Sequence, residues 1–406
     1  MKTEVTADPA RAAAIISGGG LAAVPTETVY GLAGNGLDTA AVEKIYTVKG
    51  RPEQKALSLM VPGPEAMEQY CEAVPPAAYR LAERFWPGPL TLVLRSKPAV
   101  PEITRAGGET VALRCPDHPL TLALLRLCGL PLAAPSANPS GAPSPKTAGE
   151  VLAYFDGAID GVLDGGTCGI GTESTILDLS APPYRILRQG ALAEAELMTA
   201  LRESVTLIGI TGGTGSGKTT ALNVLRERGA LILDCDEIYH ELTVSSEPLR
   251  EALIARFGAV YDGTVLNRKA LGAVVFSDPE ALADLNAITG GIVAQELDRR
   301  ILQHALQGGT LAAIDAIGLL DIPQGKQTLC NVAVTAPVEI RVQRLIAREG
   351  ISEDYARARI AAQKSDDYFA EHCDAVLVND GTYEEFQQTC RNYFAEVLDH
   401  VEADGR

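Results

Sequence analysis

Thr206-Leu-Ile-Gly-Ile-Thr-Gly-Gly-Thr-Gly-Ser-Gly-Lys-Thr-Thr220 decides how the second half of this chain is read. From Gly212 to Thr219 it runs G-x-x-x-x-G-K-[ST], after an apolar run at 207–210 and before a helix-compatible stretch at 221–228. Strand, glycine loop and helix in that order make a phosphate-binding loop. Glycines let successive backbone N–H groups converge on an anion with no Cβ in the way. The following helix N-terminus adds partial positive charge. Gly212, Gly213, Thr214, Gly215, Ser216, Gly217 and Thr220 are therefore expected around a nucleotide's phosphates. Lys218 can reach the β- and γ-phosphates, and the Thr219 hydroxyl can hold the accompanying Mg²⁺.

This loop starts near the middle of a chain of 406 residues, a length that suggests two or three domains, each with its own core. Hydrophobic residues make up 46% and charged residues 21%, as in an ordinary globular protein. The net charge is −17, with 16 basic and 21 acidic residues in 1–200 and 19 and 31 in 201–406. Neither half has the basic surface that neutralises nucleic-acid phosphates, so no stable nucleic-acid binding is expected. The eight cysteines form no C-x₂-C pair, which argues against a zinc knuckle or a redox motif. Scattered thiols, no signal-like N-terminus and no long apolar run point to a cytoplasmic protein without a membrane span.

In residues 8–20, Asp8-Pro9 opens a helix that Gly18-Gly-Gly20 closes. A second helix is expected over 39–48, stopped at Lys49-Gly-Arg-Pro52, and Thr147-Ala-Gly-Glu150 is a capping box. Strands are expected at 21–24, 57–61, 92–94, 110–116 and 132–134, mixed with helices without a regular βαβ beat. That implies an α/β domain on a twisted, mixed sheet. Residues 191–204 carry no motif and read as a helix or linker, with 196–204 taken as the linker. This places the boundary between a domain over 1–195 and another over 205–406. In the second domain, strands at 207–211, 230–234, 311–315, 332–335 and 375–378 alternate with longer helices, the pattern of a parallel sheet.

Asp234-Cys-Asp236 ends the strand after the glycine loop, and open α/β sheets bind ligands at strand C-termini. One of the two carboxylates is thus a candidate to face the phosphates. Arg344 and Arg348 share one helical face and are candidates to clamp phosphoryl oxygens. With these residues stand Leu266-Asn-Arg-Lys-Ala-Leu-Gly272, Val275-Phe-Ser-Asp278, Leu285-Asn-Ala-Ile288, Arg359-Ile-Ala-Ala-Gln363 and Val378-Asn-Asp-Gly381. Together they resemble the dephospho-coenzyme A kinases over nearly all of 205–400. The resemblance implies a P-loop kinase domain with a parallel sheet and a helical lid. It implies transfer of a phosphoryl group from MgATP to the ribose 3′-hydroxyl of dephospho-coenzyme A. Asp236 matches the family's catalytic aspartate, Lys218 acts on the donor phosphates, and Arg344 and Arg348 match the arginines that begin the lid. Two departures touch the acceptor side: Gly290-Gly291 stands where the family has His-Pro, and Asp315-Ala-Ile-Gly-Leu-Leu320 replaces Asp-x-Pro-Leu-Leu.

In the first half, Thr26, Thr28, Lys49, Arg51, Arg114, Ser136, Asn138, Ser174 and Arg188 lie at strand ends and tight turns. Converging cations would suit a triphosphate and a carboxylate. The same turns also have a purely conformational reading. Pro25-Thr-Glu-Thr-Val-Tyr-Gly-Leu32, Lys49-Gly-Arg-Pro52, Phe85-Trp-Pro-Gly-Pro-Leu-Thr91, Pro135-Ser-Ala-Asn-Pro-Ser-Gly141, Glu173-Ser-Thr-Ile176 and Leu187-Arg-Gln-Gly190 resemble the YrdC-like threonylcarbamoyl-AMP synthases over about 8–192. That resemblance implies a reaction of L-threonine, bicarbonate and ATP. The product, threonylcarbamoyl-adenylate, would pass to a separate tRNA-modifying transferase. By matching position, Lys49, Arg51, Ser136, Asn138, Ser174 and Arg188 bind ATP, and Thr26, Tyr30 and Arg114 surround the threonine. No side-chain nucleophile is implied.

Three other readings compete. A carbamoyl-transfer domain of hydrogenase maturation would carry cysteine pairs that this chain lacks. An RNA-binding module sits poorly with the acidic balance of residues 1–200. A kinase for another nucleoside or nucleotide is the alternative for the second half.

Overall fold

A computed structural model describes residues 2–404. It divides into two compact units, one running to Ser204 with Leu306–Gly308, the other comprising Val205–Ala305 and the residues from Gly309 onward.

The first unit is built on a mixed sheet. In spatial order its strands are Glu4–Thr6, Gly161–Leu163, Ala22–Val24, Gly31–Asn35, Leu132–Ala133, Ser58–Met60, Thr110–Arg114, Leu90–Arg95, Thr175–Asp178 and Arg185–Arg188. Parallel pairs such as Ser58–Met60 with Thr110–Arg114 alternate with antiparallel ones such as Leu90–Arg95 with Thr110–Arg114. The mixed sheet is the one the irregular strand–helix order implies. Helix Pro9–Ser17 starts where expected, with the Asp8 carboxylate accepting the Ala10 N–H at 2.9 Å. Helix Thr39–Lys49 ends at Gly50, whose φ of 57° is the left-handed conformation that glycine adopts without strain. Ile16, Val24, Leu124, Leu132 and Leu163 form a core between helices Pro9–Ser17 and Pro119–Cys128 and the sheet.

Residues 196–204 are not a linker. They lie in helix Glu194–Glu203, whose Leu197, Ala200 and Leu201 are buried within the first unit. Their i, i+3, i+4 spacing is an amphipathic signal that a motif search passes over.

In the second unit, strands Leu231–Asp234, Leu311–Asp315, Thr206–Thr211, Cys330–Thr335 and Ala375–Val378 lie side by side in that order, all parallel. Thr206–Thr211 is central, and the chain order reverses on either side of it, which opens a crevice at its C-terminal end. Helices Lys218–Glu227 and Tyr383–Asp404 cover the sheet, burying Leu222, Leu225, Phe386 and Phe394 on Ile208, Val332 and Val334. A separate helical cluster, from Cys235–Ser245 to the long helix Pro279–Leu306, has its own core of Leu249, Leu253, Phe257, Leu266 and Leu271. Helices Val338–Glu349, Glu353–Ala361 and Asp366–His372 follow strand Cys330–Thr335 in the chain. Among the described residues, no helix is long and apolar enough to cross a membrane.

Candidate active sites

The glycine loop leaves the central strand at Gly212, and the next helix begins at Lys218, inside the motif, three residues earlier than the apolar pattern suggests. Gly217 has φ 103°, and a Cβ there would overlap the Asn379 amide. A Cβ on Gly212 would strike the Val334 carbonyl, and one on Gly213 the Arg341 guanidinium. Only glycine fits this turn, because strands and arginines close in behind it.

Those arginines differ in use. Arg344 donates from Nη1 to the Gly215 and Ser216 carbonyls at 3.2 Å each, and from Nη2 to Asn379 Oδ1 at 3.1 Å. Asn379, itself buried, donates to the Ser216 carbonyl at 2.8 Å. Arg348, one turn further, is exposed and pairs with Glu349, so it does not touch the loop. Arg341 is buried, donating to the Thr214 carbonyl at 2.9 Å and to Gln363 Oε1 at 3.1 Å. Gln363 holds Thr214 twice, accepting its N–H and donating to its hydroxyl, both at 2.8 Å. Gln363 and Asn379 lie in stretches that the sequence singles out, yet their roles, like that of Arg341, are visible only in the fold.

Opposite the loop stand three carboxylates. Asp234 and Asp315 are register partners at the ends of adjacent parallel strands. Asp234 caps helix Cys235–Ser245, accepting the Asp236 and Glu237 N–H groups at 2.9 and 3.1 Å. That leaves the exposed Asp236 carboxylate free of the capping task. Lys218 Nζ lies 3.8 Å from Asp315 Oδ1 and donates to the Gly212 carbonyl at 3.2 Å. Burial pushes the Asp315 carboxyl up to about 6, against the pull of Lys218; Asp234 and Asp236 push it the same way. The Thr219 hydroxyl is exposed and has no protein partner among the described residues.

The first unit has a cleft of about 190 Å³, opening to solvent. Of the predicted residues, Arg51, Arg114, Ser136, Ser174 and Arg188 line it. Arg188 donates from Nε and Nη2 to the Ser174 carbonyl at 3.1 and 2.8 Å, and Ser174 shares a 2.8 Å hydrogen bond with Thr91. Arg114 donates to the Glu27 carboxylate at 2.7 Å and the Thr28 hydroxyl at 2.8 Å. Burial, then the neighbouring Arg114 and Arg51, hold the Arg188 guanidinium below its ordinary value despite the opposing pull of Glu173. Cations that repel one another at a half-buried cleft favour an anionic guest.

Lys49, Asn138, Thr26, Thr28 and Tyr30 do not line the cleft. Lys49 is buried and donates to the Ser136 and Asn138 carbonyls, bracing that turn. Burial, with a smaller push from Arg51, lowers its ammonium to about 8. Asn138 turns inward to the Pro139 and Ala142 carbonyls at 2.9 and 2.7 Å. The Thr26 hydroxyl bonds Thr28 Oγ1 and the Val29 carbonyl at 2.9 and 2.7 Å. The fully buried Tyr30 donates to the Gly166 carbonyl at 2.8 Å. Glu27, Thr91 and Glu173, which stand in the quoted motifs with no role implied for them, join the cleft's network. Cys115 and Cys168 are buried, and burial raises both thiols, the first to about 12, so neither offers a thiolate.

A family model described as Sua5/YciO/YrdC, telomere recombination, matches residues 14–190, and one described as dephospho-CoA kinase matches 206–385. The threonylcarbamoyl-AMP synthase of Bacillus subtilis is 48% identical over 196 residues, 47% of this chain and 56% of that protein. A dephospho-CoA kinase of Corynebacterium glutamicum is 36% identical over 197 residues, 48% of this chain and 98% of that protein. A solved structure of Pyrococcus abyssi Sua5 complexed with L-threonine is 30% identical, covering 76% of this chain and 88% of that one, with a TM-score of 0.47. The chain spans about half the length of the curated synthase relatives it matches.

Proposed function

We propose, from a chain that belongs to the dephospho-CoA kinase family over residues 206–385 and carries a Sua5/YrdC domain over 14–190, that it catalyses two ATP-dependent reactions. The second unit phosphorylates the 3′-hydroxyl of dephospho-CoA. The first condenses L-threonine, bicarbonate and ATP to threonylcarbamoyl-AMP and pyrophosphate, which a separate transferase uses in tRNA modification.

For the kinase, the observation that carries the reading is the glycine loop facing Asp234, Asp236 and Asp315 across Lys218. The loop's N–H groups and Lys218 hold the donor phosphates. Asp236, exposed and beside the capping Asp234, accepts the proton of the attacking hydroxyl or aligns it for in-line displacement. Arg344 keeps the loop carbonyls turned away from the anion. Among the described residues no three His, Cys, Asp or Glu side chains form a metal cage. Mg²⁺ riding on ATP needs none, because phosphate oxygens and water supply most of its ligands. The unpartnered Thr219 hydroxyl suits it, and the ion would neutralise charge on the transferred phosphoryl group.

For the synthase, the carrying observation is three arginines in one cleft with no activated nucleophile among its lining. Arg51 and Arg188 hold the triphosphate, and Arg114 takes the threonine carboxylate. Lys49, Asn138, Thr26 and Tyr30 hold the turns that aim them. The cleft brings an unstable carbamate next to the α-phosphorus and keeps water out.

A two-substrate assay on the purified chain tests both. Threonine with bicarbonate should release pyrophosphate from ATP, and dephospho-CoA should generate ADP. Absence of either product from a folded protein would remove that half of the proposal.

A further inference from the structure

Asp236 and His240 are four residues apart on helix Cys235–Ser245, so they share one face, and both are exposed. Arg268, the first residue of helix Arg268–Val275, reaches that face: its Nη2 lies 2.9 Å from His240 Nδ1. The guanidinium can only donate, so Nδ1 accepts and the imidazole is neutral in this contact. This pairing is unlike its surroundings. Every other arginine between 235 and 306 has a carboxylate: Arg250 with Glu247, Arg256 with Asp284, Arg299 with Glu296, and Arg300 with Glu296 and Glu241. Arg268 has none among the described residues, and neither has its exposed neighbour Lys269. A full positive charge is thus held by a neutral ring, one helical turn from the carboxylate on which the acceptor hydroxyl is expected.

We propose that Arg268, held in place by His240, binds the diphosphate of the acceptor substrate, with Lys269 adding charge. The acceptor's reacting hydroxyl and its diphosphate hang from the same ribose, the hydroxyl on C3′ and the diphosphate on C5′, with C4′ between them. A cation within a turn of Asp236 therefore meets the diphosphate when the hydroxyl meets the carboxylate. Arginine suits this task because its planar fork engages two phosphate oxygens at once.

This inference rests on the kinase reading, and kinetics of the full chain separate the two. Dephospho-CoA and adenosine, which has the same ribose but no diphosphate, are compared as acceptors for wild type, Arg268→Ala and Arg268→Lys. Arg268→Ala should raise the KM for dephospho-CoA at least tenfold, and Arg268→Lys should fall between it and wild type. The KM for ATP and the rate with adenosine should hold, and calorimetric titration with dephospho-CoA should show the same loss of affinity. An unchanged KM for dephospho-CoA, or equal losses with both acceptors, overturns the assignment while the kinase reading stands. A wild type that makes no ADP with dephospho-CoA overturns both.

Discussion

At the residue scale, roles are divided by burial. Asp234 and Asp236 are chemically alike, yet one spends its carboxylate on two helix N–H groups and the other does not. Asp236→Asn should therefore lower kinase turnover by about 10²–10⁴-fold with little change in the KM for ATP, as loss of a general base does. Steady-state kinetics with dephospho-CoA check this, and near-normal turnover would exclude Asp236 as the base. Lys49 shows the opposite case, a cation placed among carbonyls rather than at solvent. Its folded value of about 8 lies below the 10.5 of a free lysine, so between them the unfolded chain binds more protons. Stability from this group is complete above pH 10.5 and is lost as pH falls to 8. The first unit should gain stability across that window, and Lys49→Met should flatten the gain. The chain's single tryptophan, Trp86, is buried in this unit, so denaturant titrations read by its fluorescence report the effect.

At the element scale, capping and periodicity were legible in the sequence where they are local. Asp8 and Thr147 cap the helices their spacing implies, because a cap is satisfied within three residues. Helix Glu194–Glu203 was harder, since its apolar face acquires meaning only against the unit it covers. If it belongs to the first fold, Leu201→Ala should cost about 2–5 kcal/mol of stability, the range for emptying a buried leucine site. A change under about 0.5 kcal/mol, read at Trp86, would return the segment to the status of a linker. The helix after the glycine loop starts at Lys218, inside the motif, because its first-turn N–H groups serve an anion, a demand hydrophobic periodicity does not register.

At the scale of the whole molecule, each unit has its own sheet and core, and each candidate site is assembled within one unit. Lys218→Ala should abolish phosphorylation of dephospho-CoA and leave threonine-dependent pyrophosphate release intact; Arg188→Ala should do the reverse. Parallel assays of both variants check this, and loss of both activities in a folded variant would contradict separate sites. The sequence alone determined what is local or repetitive: the glycine loop, the caps, the parallel strand order of one half and the mixed order of the other. The polar clusters of the first half were also visible there, though as a set without internal distinction. Tertiary structure decided which of these side chains face a cleft and which stand behind it. It placed Arg341, Gln363 and Asn379 on the loop from as far as 163 residues away, as with Asn379 on Ser216. The reason is physical. Hydrogen bonds within a turn depend on neighbours that the chain already supplies. Burial and charge pairing depend on residues that only folding brings together.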